Sequence, residues 1–333
     1  MKTYDITIIG FGITGMLLLP ILKKEGFENI CIIDPYFDGG DLLRLWGDIL
    51  SNTPLQKAID ALKLIDPSYT LPTVYDPTKI TPLSLLVHIV KDFSKSFLHH
   101  VDIYETTVKK LEYNELWTVI NEDLSNIKSN TIILCQGSEP KKIKCSIPSI
   151  PLHIALNKNL LKTYVKPNDK VLLFGTSHSG VLILENLEQL QVHTTAVYKG
   201  VKPFYFAKDG DYDGIKEEAY RIASEILNNV YTYVHLHHIH DTGNIIKASK
   251  EADWVINSIG FEARNIETTV NGLPVSLRTY DSKTGALVCP KAFGFGIAYP
   301  SLAPDNIHVD VGLFSFVEHI LKQIPNLKTI LNR

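Results

Sequence analysis

The sequence predicts an α/β protein with two domains of one kind, and three observations carry that prediction. A unit of apolar strand, glycine loop, helix and apolar strand opens the chain between Asp5 and Asp34. The same unit recurs from Asp169 to Tyr198, with its first loop glycine, Gly175, 165 positions after Gly10. The chain has 333 residues, enough for about two domains at roughly 150 residues each.

Each element follows from local pattern. Asp5-Ile-Thr-Ile-Ile-Gly10 is a continuous apolar run ending on glycine, the signature of a parallel strand buried on both faces. A helix is predicted over about Ile13 to Lys24, and Asn29-Ile-Cys-Ile-Ile-Asp34 is a second buried strand ending on an acid. Residues 35–80 break this regularity. Gly39-Gly40, Trp46-Gly47, Pro54, Pro67, Pro72 and Pro77 make them loop-rich, with one helix near Gln56 to Leu64. A loop region of that length inside a compact domain marks function more than connection. Thr81 as cap and Pro82 as first helical residue start an amphipathic helix that runs to Phe97. Val101 to Leu111, Leu116 to Asn121 and Thr131 to Cys135 read as strands, the last followed by Gln136-Gly137-Ser138-Glu139-Pro140.

The second unit has a strand, Asp169 to Phe174, and a loop, Gly175-Thr176-Ser177-His178-Ser179-Gly180. A helix over about Val181 to Leu190 and a strand from Thr194 to Tyr198 complete it. After a charged helical region near 214–228, the run Ala252 to Gly260 closes the unit. From about residue 280 onward come more glycine turns and a terminal helix, Leu313 to Lys322.

Composition narrows the function classes. The net charge of −3 implies no basic face, which sets nucleic acid and acidic membrane surfaces aside as main partners. The apolar stretch Ile6 to Leu22 is interrupted by three glycines and Pro20, too short and broken to span a bilayer. Asp34 continues the same folding unit, so the stretch is not read as a targeting segment. Cys31, Cys135, Cys145 and Cys289 form no Cys-x-x-Cys pair, zinc set or disulfide framework. A reducing, cytoplasmic compartment fits them. The run His235-Leu-His237-His238-Ile-His240-Asp241 puts His235 and His237 on one strand face. It lacks a cysteine and a second ligand cluster, so no metal site is expected.

Gly10-Phe11-Gly12-Ile13-Thr14-Gly15 is the first chemical motif. A helix N-terminus offers free N–H groups and partial positive charge, which suit a pyrophosphate. The first glycine permits the tight turn, the second lets backbone approach phosphate, and the third lets helix and strand pack closely. Asp34, 19 residues after Gly15, ends the second strand, where a carboxylate can bind ribose hydroxyls. A dinucleotide is therefore expected here, and the loop alone permits FAD or NAD.

On these residues the chain resembles the FAD- and NAD(P)-dependent oxidoreductases related to thioredoxin reductase and to flavin-containing monooxygenases. The resemblance covers nearly the whole sequence. It implies two nested Rossmann-like domains of three-layer β/β/α type. The FAD domain would comprise 1–160 and 275–333, and an inserted NAD(P) domain 165–270. Thr131 to Pro140 looks like the strand and Ala-Thr-Gly-Ser-x-Pro motif that joins the two domains, with Cys135-Gln136 in place of Ala-Thr. The second loop looks like the family's G-x-G-x-S-G, with Ser177 in place of the middle glycine. Gly260 looks like the glycine ending the last strand of the NAD(P) domain.

The resemblance also assigns residues. FAD would meet Gly10, Gly12, Ile13, Thr14, Gly15, Asp34, Trp46, Thr53, Val108, Gln136, Gly137, Gly312 and Leu313. NADPH or NADH would meet Gly175, Ser177, His178, Ser179, Gly180, Lys199 and Gly260. Lys199 and Lys202 follow the strand whose end discriminates the cofactors, where a base can pair with the 2′-phosphate of NADPH. Ser51-Asn52-Thr53-Pro54 looks like the monooxygenases' Asn-Thr-Pro segment, which would set the Asn52 amide beside the flavin ring as the catalytic side chain. The usual C-terminal motif ends in Gly-Asp. Here the order is altered to Asp310-Val311-Gly312-Leu313, and a helix starting at Leu313 would aim its N-terminus at the flavin. Three activities follow as expectations. The first is an FAD-dependent NAD(P)H oxidoreductase hydroxylating a small substrate. The second passes electrons to a quinone or protein acceptor. The third is a non-catalytic, FAD-binding redox-sensing module. A dimer is compatible with the family.

Overall fold

The computed structural model describes residues 2–204, 215–303 and 309–332. In chain order its elements are β1 (Thr3–Ile9), α1 (Ile13–Lys24), β2 (Ile30–Ile33), α2 (Gly40–Arg44), α3 (Gln56–Ile65) and α4 (Leu83–Lys95). Then come β3 (Asp102–Tyr104), β4 (Val108–Asn114), β5 (Leu116–Asn121), β6 (Asn126–Leu134), β7 (Ser138–Pro140) and β8 (Ser149–Ile150). The second glycine loop lies within α5 (Leu152–Leu156), α6 (Lys158–Leu161), β9 (Lys170–Phe174), α7 (His178–Gln189), β10 (His193–Tyr198) and α8 (Ile215–Leu227). β11 (Val234–His238), α9 (Thr242–Glu251), β12 (Trp254–Asn257) and β13 (Phe261–Ala263) follow. The chain ends with β14 (Glu267–Val270), β15 (Leu273–Pro274), β16 (Ala292–Gly294), β17 (Ser301–Leu302), β18 (Val309–Asp310) and α10 (Leu313–Ile330).

These elements form two compact units. The first comprises 1–49, 53–139 and 262–333, and the second 50–52 and 140–261.

The first unit is built on a sheet ordered β15-β14-β4-β5-β6-β1-β2-β3, with β16 pairing with β6. β1 pairs in parallel with β2 and β6, and β2 with β3. Both faces of the central strands are covered, which is why they read as unbroken apolar runs. Ile6, Ile8, Ile30 and Ile32 pack with Leu17 and Leu18 of α1, Val90 of α4 and Val317 and Ile320 of α10. Tyr4, Cys31, Ile33, Trp117 and Tyr299 fill the opposite face. The second unit has a parallel sheet ordered β11-β10-β9-β12-β8.

Several elements differ from their sequence reading, among them three whose cause is local. The strand expected over Val101 to Leu111 is two strands, β3 and β4. The Thr106 amide bonds back to the Tyr104 carbonyl at 3.0 Å, which turns the chain between them. The terminal helix runs on to Ile330 through Pro325. Burial of Ile324 and Leu327 against the core outweighs the amide that proline lacks. At α4, Pro82 takes the N-cap position and the helix begins at Leu83, one residue later than expected.

Candidate functional site

The first glycine loop connects β1 to α1, and its three glycines have separate reasons to be glycine. Gly10 has φ +95°, and a Cβ there would stand 2.5 Å from the Cys135 carbonyl oxygen at the end of β6. A Cβ on Gly15 would collide with the Gly10 carbonyl oxygen. Gly12 has φ −70° and ψ −168°, extended backbone open to any residue. The nearest atom to a Cβ there is the Gly39 carbonyl oxygen at 3.9 Å. Gly10 and Gly15 therefore build the turn, while Gly12 leaves the mouth of the loop open. The first amides of α1, at Ile13, Thr14 and Gly15, have no carbonyl one turn back within the helix.

Asp34 anchors this loop. Its Oδ2 accepts from the Phe11 amide at 2.8 Å, and its Oδ1 accepts from the Tyr36 and Phe37 amides at 2.9 Å each. The turn it organises leads to Gly39-Gly40, both in the left-handed region, where a Cβ on Gly40 would approach Gly12 Cα to 3.1 Å. Asp41 begins a charged cluster beside them. Arg44 Nη2 donates to Asp41 Oδ1 at 2.8 Å, and Arg264 Nη2 donates to Asp41 Oδ2. Arg44 also lies 3.7 Å from Asp38 and 3.8 Å from the Tyr36 ring centroid. Gln136, next to the Gly10 turn, donates to the Arg264 carbonyl at 2.6 Å. Its Oε1 is buried with no partner.

The second loop repeats the first in detail. Gly175 has φ +94°, and a Cβ there would collide with the Ser258 carbonyl oxygen past the end of β12. A Cβ on Gly180 would collide with the Gly175 carbonyl oxygen. Ser177 has φ −79° and ψ −171° at the α7 N-cap, and its hydroxyl makes no capping bond. It adopts the Gly12 conformation, so the serine costs the loop nothing in backbone strain. His178 and Ser179 start α7. Lys199 is exposed just past β10.

The remaining expected residues come from other elements. Val108 is buried at the bulged start of β4. Trp46 is half-buried, and Thr53 and Asn52 are exposed. Asn52 groups with the second unit and Thr53 with the first. Gly137 and Gly260 have positive φ, with open space where a Cβ would lie. Gly312 caps α10, again with open space, and Leu313 begins the helix. Asn306, Ile307 and His308, in the altered C-terminal motif, lie outside the described residues. In the histidine run, His237 Nδ1 pairs with Asp241 Oδ2 at 2.8 Å. Among the described residues, no group of three His, Cys, Asp or Glu could hold a metal ion.

No protein-family profile matches the chain. A curated relative, monooxygenase AgnR1 of Paecilomyces divaricatus, is 22% identical over 387 residues, covering 96% of both chains. A flavin-containing monooxygenase from Stenotrophomonas maltophilia superposes with a TM-score of 0.63 at 14% identity, over 99% of both chains. The bacillithiol disulfide reductase of Staphylococcus aureus superposes at 0.62, with 13% identity over 99% of both. The chain has the two-dinucleotide-binding-domain flavoprotein fold.

Within that fold, structure adds residues that sequence reading passed over. β16 pairs with β6 from Ala292 to Gly294, and Gly296 follows at φ +83°, where a Cβ would collide with Thr14 Oγ1 on α1. The C-terminal segment thus reaches the glycine loop through Gly296, 16 residues before Gly312, with Ile297 as the next residue. Gly39, Gly40 and Arg264 also border the loop. The Gly-Gly pair and the glycine turns after residue 280 are visible in the sequence, but their partner in space is not. A dinucleotide fits these observations. Gly12 leaves a cradle that a larger side chain would fill, and Gln136, next to Gly10, has an orphaned acceptor in Oε1.

Proposed function

We propose that the chain is an FAD-dependent NAD(P)H oxidoreductase of monooxygenase type. FAD would sit on the Gly10–Gly15 loop of the first unit, and NADPH or NADH on the Gly175–Gly180 loop of the second. The observation that carries this reading is the repeat of one loop geometry. The two loops match in the first glycine's φ, in the middle residue's extended backbone and in the third glycine's packing against the first. The relative named as a monooxygenase, aligned over nearly the whole chain, supports the hydroxylating reaction.

When bound, FAD supplies two-electron chemistry with nicotinamide and reaction with O2. The chain's own residues do the holding. The amides of Ile13, Thr14 and Gly15 take phosphate charge at the α1 N-terminus. Gln136 Oε1 would accept from a donor on the bound dinucleotide, and Arg44 and Arg264 balance the charge of Asp41 beside the loop. In the second unit the α7 N-terminus does the same work, and Lys199 reads a 2′-phosphate. Asn52 is the side chain we assign to the reacting rings. Thiol–disulfide chemistry is disfavoured. Burial holds the Cys31 thiol at about 12 and raises those of Cys135 and Cys289, leaving Cys145 as the exposed thiol. Four free cysteines also suit a cytoplasmic setting. Among the described residues, no helix is long and apolar enough to cross a membrane.

The test is anaerobic stopped-flow of the flavin-loaded protein. Bleaching of flavin absorbance by NADPH, faster than by NADH, is expected, and bleaching by neither would refute the reading. Oxygen consumption coupled to a hydroxylated small molecule separates the monooxygenase from a reductase that serves a quinone or protein acceptor.

A further inference from the structure

We infer that the Tyr36 ring is a platform on which the adenine of the dinucleotide stacks, with Arg44 bracing the ring from behind. This rests on the reading that the first loop holds FAD. The acid that ends the second strand of such a unit takes a ribose hydroxyl, and the base is bonded to that same ribose. A carboxylate has about four acceptor sites, and the amides of Phe11, Tyr36 and Phe37 leave Asp34 one of them for the hydroxyl. The base then lies past the strand end, beside the residues that follow the acid. Tyr36 is two residues on, and its amide donates to the same carboxylate, 2.9 Å from Oδ1.

The two aromatic residues of this turn are used differently. Phe37 packs inward on Phe11, 5.4 Å between ring centroids, and joins the edge of the core. Tyr36 is 61% exposed, yet its ring is held. The Arg44 guanidinium carbon lies 3.8 Å from the ring centroid, a cation on one aromatic face. Asp41 Oδ1 accepts from that guanidinium at 2.8 Å, and Asp38 lies 3.7 Å from it. Arg44 ends α2, whose first residue, Gly40, closes on Gly12 in the glycine loop. The stack is thus fixed at two points, at Asp34 through the Tyr36 amide and at the loop through α2. With Arg44 on one face, the exposure of Tyr36 falls on its other face and edge. A flat, braced aromatic surface between the ribose carboxylate and the phosphate loop suits a purine, whose own flat face stacks on such rings.

FAD, by flavin fluorescence, and ADP, by calorimetry, are titrated against wild type, Tyr36→Phe, Tyr36→Leu and Tyr36→Trp. Thermal melts of the ligand-free proteins control for folding. Tyr36→Leu keeps apolar bulk without the flat face, so it should weaken both ligands about fivefold or more, while Tyr36→Phe keeps the ring and should stay within about twofold of wild type. In Tyr36→Trp the indole joins the stack, and ADP should quench tryptophan emission by more than it does in Tyr36→Phe. A Tyr36 that only covers the turn predicts equal affinities and no extra quenching, which would overturn the inference. Equal weakening in Tyr36→Phe and Tyr36→Leu would overturn it too, since the effect would then belong to the hydroxyl. Should Tyr36→Leu melt below wild type, the quenching comparison decides by itself, and its absence overturns the inference. Failure of wild type to bind FAD or ADP would remove the flavin reading and this inference together. Wild type binding FAD, with Tyr36→Leu binding it as tightly, removes this inference alone.

Discussion

Substituting Gly12 by serine separates the glycine that builds the first loop from the one that leaves room for a ligand. Gly12 already has a conformation that serine adopts at no cost, as Ser177 shows at the matching position. A Cβ finds the Gly39 carbonyl oxygen at 3.9 Å and Gly40 Cα at 4.0 Å, ordinary contact distances. Replacing glycine where its backbone is compatible stabilises by about 0.4–1 kcal/mol through the unfolded state, and serine is a good N-cap. The ligand-free variant should therefore melt at or slightly above wild type. Its side chain would stand in the mouth of the loop and cost one charge-assisted hydrogen bond to phosphate, about 1.5–3 kcal/mol. That corresponds to FAD binding roughly 10- to 100-fold weaker, read by fluorescence titration. Gly10→Ala is the contrasting control. Its left-handed backbone costs about 1–2 kcal/mol, before the clash with the Cys135 carbonyl, so it should lower the melting temperature of the ligand-free protein. Gly12→Ser binding FAD as tightly as wild type, or unfolding as Gly10→Ala does, would refute this division of labour.

Other expectations follow from the same geometry. Ser177→Gly should strengthen NADPH binding several-fold by calorimetry while leaving stability unchanged or slightly lower, and unchanged affinity would show that the serine never obstructs phosphate. Gly296→Ala should destabilise the ligand-free protein, because its φ is positive and its methyl meets Thr14 Oγ1; pairing it with Thr14→Ala should restore part of the loss in thermal melts. His319 is 4% exposed with Nε2 unpartnered, and burial, then the Lys322 charge, lowers its pKa from 6.5. The unfolded state then binds the proton first, so this contribution is fully present above about pH 6.5 and is lost as pH falls below it. His319→Phe should flatten the drop in urea midpoint between pH 7.5 and 5.5, and an equal drop in both proteins would count against the assignment. In native protein iodoacetamide should label Cys145 alone, with all four cysteines reacting after denaturation, as mass spectrometry of the peptides would show.

Much of this protein was legible in its sequence because the informative signals are local. An apolar run, three glycines at fixed spacing, a helix and a terminal acid are consecutive features of one short segment, and their recurrence from Asp169 made the doubled architecture readable. Which backbone groups Asp34 holds was not legible. Its residue type and position point to a ribose, whereas its neighbours in space are three amides, two of them created by the turn it organises. Whether a serine suits the middle position of the second loop was equally beyond sequence reasoning. A missing glycine matters only if backbone angles or close atoms forbid a side chain, and at this position the angles permit one. Gly296 against Thr14 and Arg264 against Asp41 join residues more than 200 positions apart. Hydrophobic periodicity determines which segments become strands and helices. Which side chains and open spaces meet at the loop is decided only when the sheet brings β6, β16 and the turn after β2 to the same end of β1.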